Sequence, residues 1–150
     1  MIAFRPATAA DQARITAHVH AAHINPMDLK WQHFVLAVDE ASGALVGTVQ
    51  IKAHRDGSRE LASLAVAPEW QGQGVARRLV EHMLAQNPGV LYLTCRSTLG
   101  PLYEKFGFRI VDPSEMTPYF RRLTRAVKLL WPLMRRGGSA ITLLVMKRDG

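Results

Sequence analysis

The stretch Leu64-Ala65-Val66-Ala67-Pro68-Glu69-Trp70-Gln71-Gly72-Gln73-Gly74-Val75-Ala76-Arg77-Arg78-Leu79 decides how this chain folds. Its first residues close a strand that begins at Arg59, and Pro68 ends that strand because proline has no N–H to give a sheet. Beyond the loop, Val75, Leu79, Val80, Met83 and Leu84 recur at helical spacing until Asn87-Pro88-Gly89 stops them. The segment is therefore a strand, a glycine loop and a helix. The first amides of a helix have no intrahelical acceptor, glycines let a ligand approach the backbone, and the helix N-terminus favours an anion. Residues Gln71 to Ala76 thus suit a pyrophosphate. They form neither a Walker loop, since Lys followed by Ser or Thr is absent, nor a Rossmann fingerprint, whose third glycine would fall at Arg77. A Gly-x-Gly loop on its own serves equally as a plain turn.

Working upstream, Ile2 to Arg5 reads as a first strand, and Thr8 with Asp11 forms a capping-box-like start for a helix to about His20. Asn25-Pro26 interrupts the pattern before a short second helix. Phe34 to Val38 is a buried strand, Ala41-Ser42-Gly43 a turn, and Leu45 to Ala53 a strand in which Thr48, Gln50 and Lys52 alternate with apolar neighbours. Arg55-Asp56-Gly57 turns the chain into the strand Arg59 to Val66. Downstream, Val90 to Thr94 is a strand, Leu99 to Phe106 a short helix and Phe108 to Val111 a strand. This order predicts an α/β (α+β) fold with a mixed, mostly antiparallel central sheet flanked by helices.

Thr117 as cap and Pro118 at the first position open a last helix. Tyr119, Leu123, Val127, Leu130 and Met134 share one face, Arg121, Arg125, Lys128 and Arg135 another, and Pro132 is expected to kink or end it. Gly137-Gly138 separates this helical insertion, residues 117–136, from a final strand Ala140 to Met146. With 150 residues, 48% hydrophobic, one core is expected and hence a single domain, 1–150. No apolar run approaches ~20 residues and the first residues lack a signal-peptide pattern, so the expected compartment is the cytoplasm. Cys95, the one cysteine, excludes an internal disulfide and reads as an apolar filler. The net charge of +7 is concentrated between Arg121 and Arg136, where six basic residues meet no acidic one. That field suits a polyanionic partner: nucleic acid, anionic membrane or a phosphate-rich cofactor.

The stretch from Leu64 to Leu79 resembles the cofactor motif of the GNAT acetyltransferase superfamily, with Gln71, Gly74 and Ala76 at its matching positions. Leu102-Tyr103-Glu104-Lys105-Phe106-Gly107-Phe108 resembles that family's second signature, and the likeness extends from about Phe4 to Val111. The resemblance implies an N-acetyltransferase that moves an acetyl group from acetyl-CoA, as co-substrate and without a metal, to a primary amine by direct attack. It implies that the strand ending at Val66 splays from the next one, with Leu64, Ala65 and Val66 along the pantetheine arm. The amides of Gln71, Gly72, Gln73, Gly74, Val75 and Ala76 would hold the pyrophosphate. Arg77 and Arg78 can reach outer phosphates or simply face solvent.

A lysine-like amine of pKa ~10.4 is unprotonated in only about one molecule in 2,500 at pH 7, so transfer needs proton removal as well as alignment. Tyr103 matches the family's general acid. Glu60, at the start of the cofactor strand, matches a position where relatives carry a basic carboxylate, and reads equally as a solvated turn residue. Thr94 stands where some relatives have a glutamate, and Arg96-Ser97-Thr98-Leu99-Gly100 lacks their asparagine. His18, His20, His23 and His33 cluster in sequence without a firm metal-ligand spacing, so no metal site is assigned. The acceptor, a small-molecule or peptide amine, is not identified. The alternatives are a CoA-binding sensor, or a basic protein at anionic lipid or nucleic acid, although no RNA-binding or zinc-finger pattern supports the last. The oligomeric state, a homodimer included, stays open.

Overall fold

A computed structural model describes residues 1–134 and 142–150. Arg135, Arg136, Gly137, Gly138 and Ala140, assigned above to the helix end, the break and the last strand's start, lie outside the described residues. Seven strands form one sheet: β1 (Ile2–Pro6), β2 (Phe34–Asp39), β3 (Leu45–Ala53), β4 (Arg59–Val66), β5 (Leu91–Arg96), β6 (Arg109–Ile110) and β7 (Leu143–Arg148), in the order β1-β2-β3-β4-β5-β7-β6. The helices are α1 (Gln12–Ala21), α2 (Val75–Gln86), α3 (Gly100–Glu104) and α4 (Pro118–Met134). β1/β2, β2/β3, β5/β7 and β6/β7 are antiparallel, whereas β4 and β5 run parallel and pair at Glu60↔Tyr92. A parallel pair needs a long crossover, and α2 supplies it. The mixed, mostly antiparallel sheet with helices is the architecture the sequence pattern calls for.

The chain forms two compact units, Met1–Lys52 with Leu61–Pro88, and Ala53–Glu60 with Gly89–Gly150. In the first, Ala7, Ile15, Val19, Phe34 and Leu36 make a core, and α2 buries Val75, Leu79, Val80 and Met83, its apolar stripe. A Cβ at Gly47 would lie 2.9 Å from Leu79 Cδ1 and 3.2 Å from Ala65 O, so any larger residue would force a shift where α2 approaches β3. Asp11 organises the entry to α1. Its buried carboxylate accepts two bonds from Arg5 (2.8 and 3.0 Å), one from the Thr8 amide (2.8 Å) and one from Arg14 (3.0 Å). The capping box is thus present, on a short 3-10 turn, Ala9–Asp11, that precedes α1.

In the second unit, Tyr92, Val111, Met116, Phe120 and Val145 form the core. Phe120 is fully buried, although the expected apolar stripe of α4 ran through Tyr119, Leu123 and Val127, which are only half-buried. Leu130, also on that stripe, is 46% exposed and Leu129 is 79% exposed. Thr117 takes the N-cap position, its carbonyl accepting from Arg121 N, while the side-chain cap comes from Asp56, whose Oδ2 accepts from Tyr119 N at 2.9 Å.

Three expectations need correction. Only a 3-10 turn, Trp31–His33, stands where a second helix was expected after Asn25-Pro26, because that segment spends its hydrogen-bonding groups on β3 and α1 side chains instead. The helix of Leu99 to Phe106 is a 3-10 turn at Ser97–Leu99 followed by α3, ended at Glu104 by Gly107. β6 is two residues long, as an edge strand with a partner on one side only. Of the two outcomes expected at Pro132, a kink or an end, α4 does not end there but runs on to Met134, the last described residue before the break.

The Arg5 guanidinium first of all holds the Asp11 carboxyl well below the usual carboxylate range, against the opposing effect of burial. A depressed carboxylate stabilises the fold above its ordinary pKa of ~3.9 and loses that contribution as pH falls below it. Asp11→Asn should therefore cost about 2 kcal/mol at pH 7. In denaturant titrations the gap to wild type should narrow progressively as pH falls below about 4.

Candidate active site

The glycine loop lies wholly in the first unit. Val66 is followed by a 3-10 turn, Pro68–Trp70, and then by the exposed residues Gln71 to Gly74. Gly72 and Gly74 have φ of 77° and 80°, and a Cβ at either would meet open space, so backbone conformation rather than crowding requires glycine. Gly74 caps α2, and Arg78 N donates to its carbonyl at 3.1 Å. The amides of Val75, Ala76 and Arg77, which precede that bond, have no acceptor within the helix. With Gly72, Gln73 and Gly74 they line an exposed turn at the positive end of a 12-residue helix.

The loop's side chains brace it. Gln71 Nε2 donates to Val66 O (3.1 Å) and Gln73 Nε2 to Glu69 O (3.3 Å). The Val66 carbonyl keeps a second lone pair. Arg77 pairs with Glu81 at 2.9 Å on the solvent face, and Arg78 lies over the Phe4 ring at 4.7 Å. Along β4, the Ala65 carbonyl is 3.0 Å from His18 Nε2, which must carry the proton because a carbonyl only accepts. Of the other histidines in that group, His20, His23 and His33 are exposed. The described residues contain no cluster of three or more His, Cys, Asp or Glu able to hold a metal.

Mid-strand, Ser63 has φ 56°, a left-handed conformation unusual for a non-glycine, and so breaks the regular pleat of β4 between Ala62 and Leu64. Sequence reasoning passed over it. Its one signal was a single polar residue inside an apolar strand.

In the second unit, Tyr103 is the fourth residue of α3 and is 9% exposed, edge-on to Phe108. Its carbonyl accepts from Phe106 N and Phe108 N, while Gly107, at φ 88°, donates to Glu104 O. This glycine closure turns the chain out of α3 and into β6. Burial, reinforced by neighbouring Cys95, pushes the Tyr103 phenol up to about 12. Cys95 is itself buried, with Sγ 3.9 Å from Met146 Sδ, and burial raises its pKa, as befits a filler.

Glu60 is 5% exposed, not the solvated turn residue that its position also allowed. His54 Nε2 lies 2.8 Å from its Oε1, and the His54 ring stacks on Tyr119 (centroids 3.6 Å, 15°) with its edge toward Phe120. Two residues on, burial pushes the Asp56 carboxyl up, but the Ser58 hydroxyl and the amides of Tyr119 and Ser58 outweigh it and hold it below the usual range. The turn between β3 and β4 thus presents a Glu–His pair and caps α4. Sequence reasoning found Glu60 and missed His54 and Asp56, because Asp56 and its partner Tyr119 are 63 residues apart.

Residues 30–110 match the model of the acetyltransferase (GNAT) domain. The chain belongs to the GNAT acetyltransferase family, a family of acyltransferases. No protein of curated function matches the sequence. Among solved structures, 99% of the chain superimposes on N-acetylglutamate synthase from Neisseria gonorrhoeae in complex with coenzyme A and N-acetyl-glutamate, with a TM-score of 0.74 and 19% identity. The chain spans 35% of that protein's length. A Mycobacterium tuberculosis protein in complex with CoA and NLQ gives a TM-score of 0.74 at 16% identity, covering 99% of both chains. The Escherichia coli ribosomal-protein-alanine N-acetyltransferase gives 0.67 at 17%, over 99% of this chain and 94% of that one. At these identities the likeness is one of fold. No helix among the described residues is long and apolar enough to cross a membrane.

Asp56→Ala should remove the α4 cap and lower stability by about 1 kcal/mol. Thermal unfolding checks the loss, and loss of the near-ultraviolet signal of Tyr119 and Tyr92 would report loosening of α4.

Proposed function

We propose that this chain is an N-acetyltransferase that binds acetyl-CoA at Gln71 to Ala76 and passes its acetyl group directly to a primary amine. The observation that carries the reading is the coincidence, in one exposed turn, of two positive-φ glycines and the acceptorless amides of α2. Leu64, Ala65 and Val66 run into that turn and offer their backbone to the pantetheine arm. The pyrophosphate is held by the amides of Gly72, Gln73, Gly74, Val75 and Ala76, where helix polarity favours an anion, while the Gln71 amide already donates to Pro68 O at 3.3 Å and closes the turn before them.

Direct transfer needs a base for the amine and a proton donor for the departing thiolate. Tyr103 serves as the donor. A phenol held up at about 12 stays protonated throughout the physiological range, so it is always ready to donate. A thiol has a pKa of ~8.5, so complete transfer from such a phenol would be uphill by roughly 5 kcal/mol. Tyr103 therefore acts as a hydrogen-bond donor that shares its proton with the developing thiolate. Glu60 accepts the proton from the amine, directly or through water. His54, bonded to its Oε1, fixes the carboxylate's orientation and leaves the other oxygen for this task.

The exposed Arg121, Arg125 and Lys128 on α4 add to a net charge of +7 and give a field that attracts anionic acceptors and repels polyamines. That long-range effect fades as salt shortens the Debye length from ~10 Å at 0.1 M.

Gly74→Val places a β-branched residue at positive φ and should weaken CoA binding at least about tenfold. Unchanged binding by calorimetry in a folded variant would show that the cradle lies elsewhere. Tyr103→Phe should lower turnover about 10²-fold with CoA affinity nearly intact. Thiol release at a series of pH values checks it, and equal rates would remove Tyr103 from the chemistry.

A further inference from the structure

The row Thr48, Gln50 and Lys52 on β3 alternates with apolar residues, a pattern that ordinarily marks a wet face, yet all three side chains are buried. The main chain of the segment after α1 accepts from two of them, Gln50 and Lys52, while Thr48 donates to Ser63 O on β4 at 2.9 Å. Gln50 is fully buried. Its Nε2 donates to Asp28 O (3.2 Å) and to Ser63 Oγ (2.8 Å), which uses both amide hydrogens, and its Oε1 is buried with no partner. Three non-glycine residues among those described have positive φ: His23 (55°), Asp28 (56°) and Ser63 (56°). Two of these three strained residues hold the same glutamine.

Two positions along the same face, Lys52 is 6% exposed and its Nζ donates to Met27 O at 3.1 Å. An ammonium carries three donors, and no carboxylate pairs with this one among the described residues. A single neutral carbonyl does not offset the desolvation of a buried charge. Strain, an unused acceptor and an underpaired cation thus meet on one strand face, next to the strand assigned to the cofactor. Such unfavourable features persist where they serve a ligand.

We propose that this face of β3 is a binding subsite for an acceptor amine that bears a carboxylate, an α-amino acid or a compound with that grouping. Lys52 takes the carboxylate and Gln50 Oε1 accepts an N–H of the ligand. The carbonyls of Met27 and Asp28, which hold the Lys52 and Gln50 donors, give way to the ligand's oxygens as the segment lifts. One positive charge matches a single carboxylate better than a phosphate dianion. The inference rests on the acetyltransferase reading, since it names the acceptor class of that reaction.

The test compares the twenty L-amino acids with their α-carboxamides, which keep the amine and lose the charge. Acetyl transfer is followed by thiol release, and binding without acetyl-CoA by calorimetry, so that the outcome does not hang on turnover; inorganic phosphate is the control anion. Wild type should favour at least one amino acid over its carboxamide by about tenfold or more. Lys52→Met and Lys52→Gln, the latter retaining a donor for Met27 O, should abolish that preference while leaving CoA affinity and the carboxamide unchanged. Unliganded Lys52→Met should also melt at a higher temperature than wild type, as expected when a site rather than a structural contact is removed. Binding that favours phosphate, equal use of acid and amide by wild type, or a preference that survives both substitutions would overturn the subsite. Continued transfer to the uncharged amines in those cases would leave the acetyltransferase reading standing.

Discussion

A helix must begin with amides that have no acceptor behind them, and in α2 this unavoidable feature is kept at the surface. The start of α4 is closed by a side chain, Asp56 receiving the Tyr119 amide, and the 3-10 turn ahead of α1 is closed by Asp11, which receives the Thr8 amide. No side-chain cap bonds the start of α2. Instead the preceding loop uses its glutamines to brace its own carbonyls, and two glycines at positive φ shape the exposed turn that leads into the helix. The parallel step from β4 to β5 depends on the same helix, because only a crossover of this length can return the chain to run alongside. The cradle and the sheet topology are consequences of one segment.

Much of this was legible because the signals are local. The bounds of β3 and β4 follow from alternation between the turns at Ala41-Ser42-Gly43 and Arg55-Asp56-Gly57 and the stop at Pro68. Helix α2 follows from its 3.6-residue apolar spacing. Tyr103 and the glycine loop were visible as motifs, and the structure shows why Gly107 follows: it must take a positive φ to end α3.

What escaped reading is nonlocal. His54 looks like one more turn residue until Glu60 and Tyr119 close around it. Phe120 falls one position off the expected stripe, because the core that receives it is assembled from β5, β7 and the segment before α4. Gln50 and Lys52 carry the pattern of an open face, and only the path of residues 24–30 buries them. The left-handed turn at Ser63 costs energy that no propensity would invite, so it is set by its neighbours and is silent in the sequence.

The cap that Asp56 places on α4 bears on the order in which the chain takes shape. A helix capped by its own preceding residue can start as soon as it is made. Here the accepting carboxylate sits 63 positions upstream, in a tight turn whose own bonds, Ser58 to Asp56 and Gly57 to His54, are local. During synthesis that hairpin leaves the ribosome well before Tyr119 does, so the helix is handed a finished docking point. In refolding from denaturant the same contact must close a long loop, an entropic cost that grows only slowly with length but delays the event. Helix α4 should therefore join late in refolding and earlier, relative to its own emergence, on the ribosome.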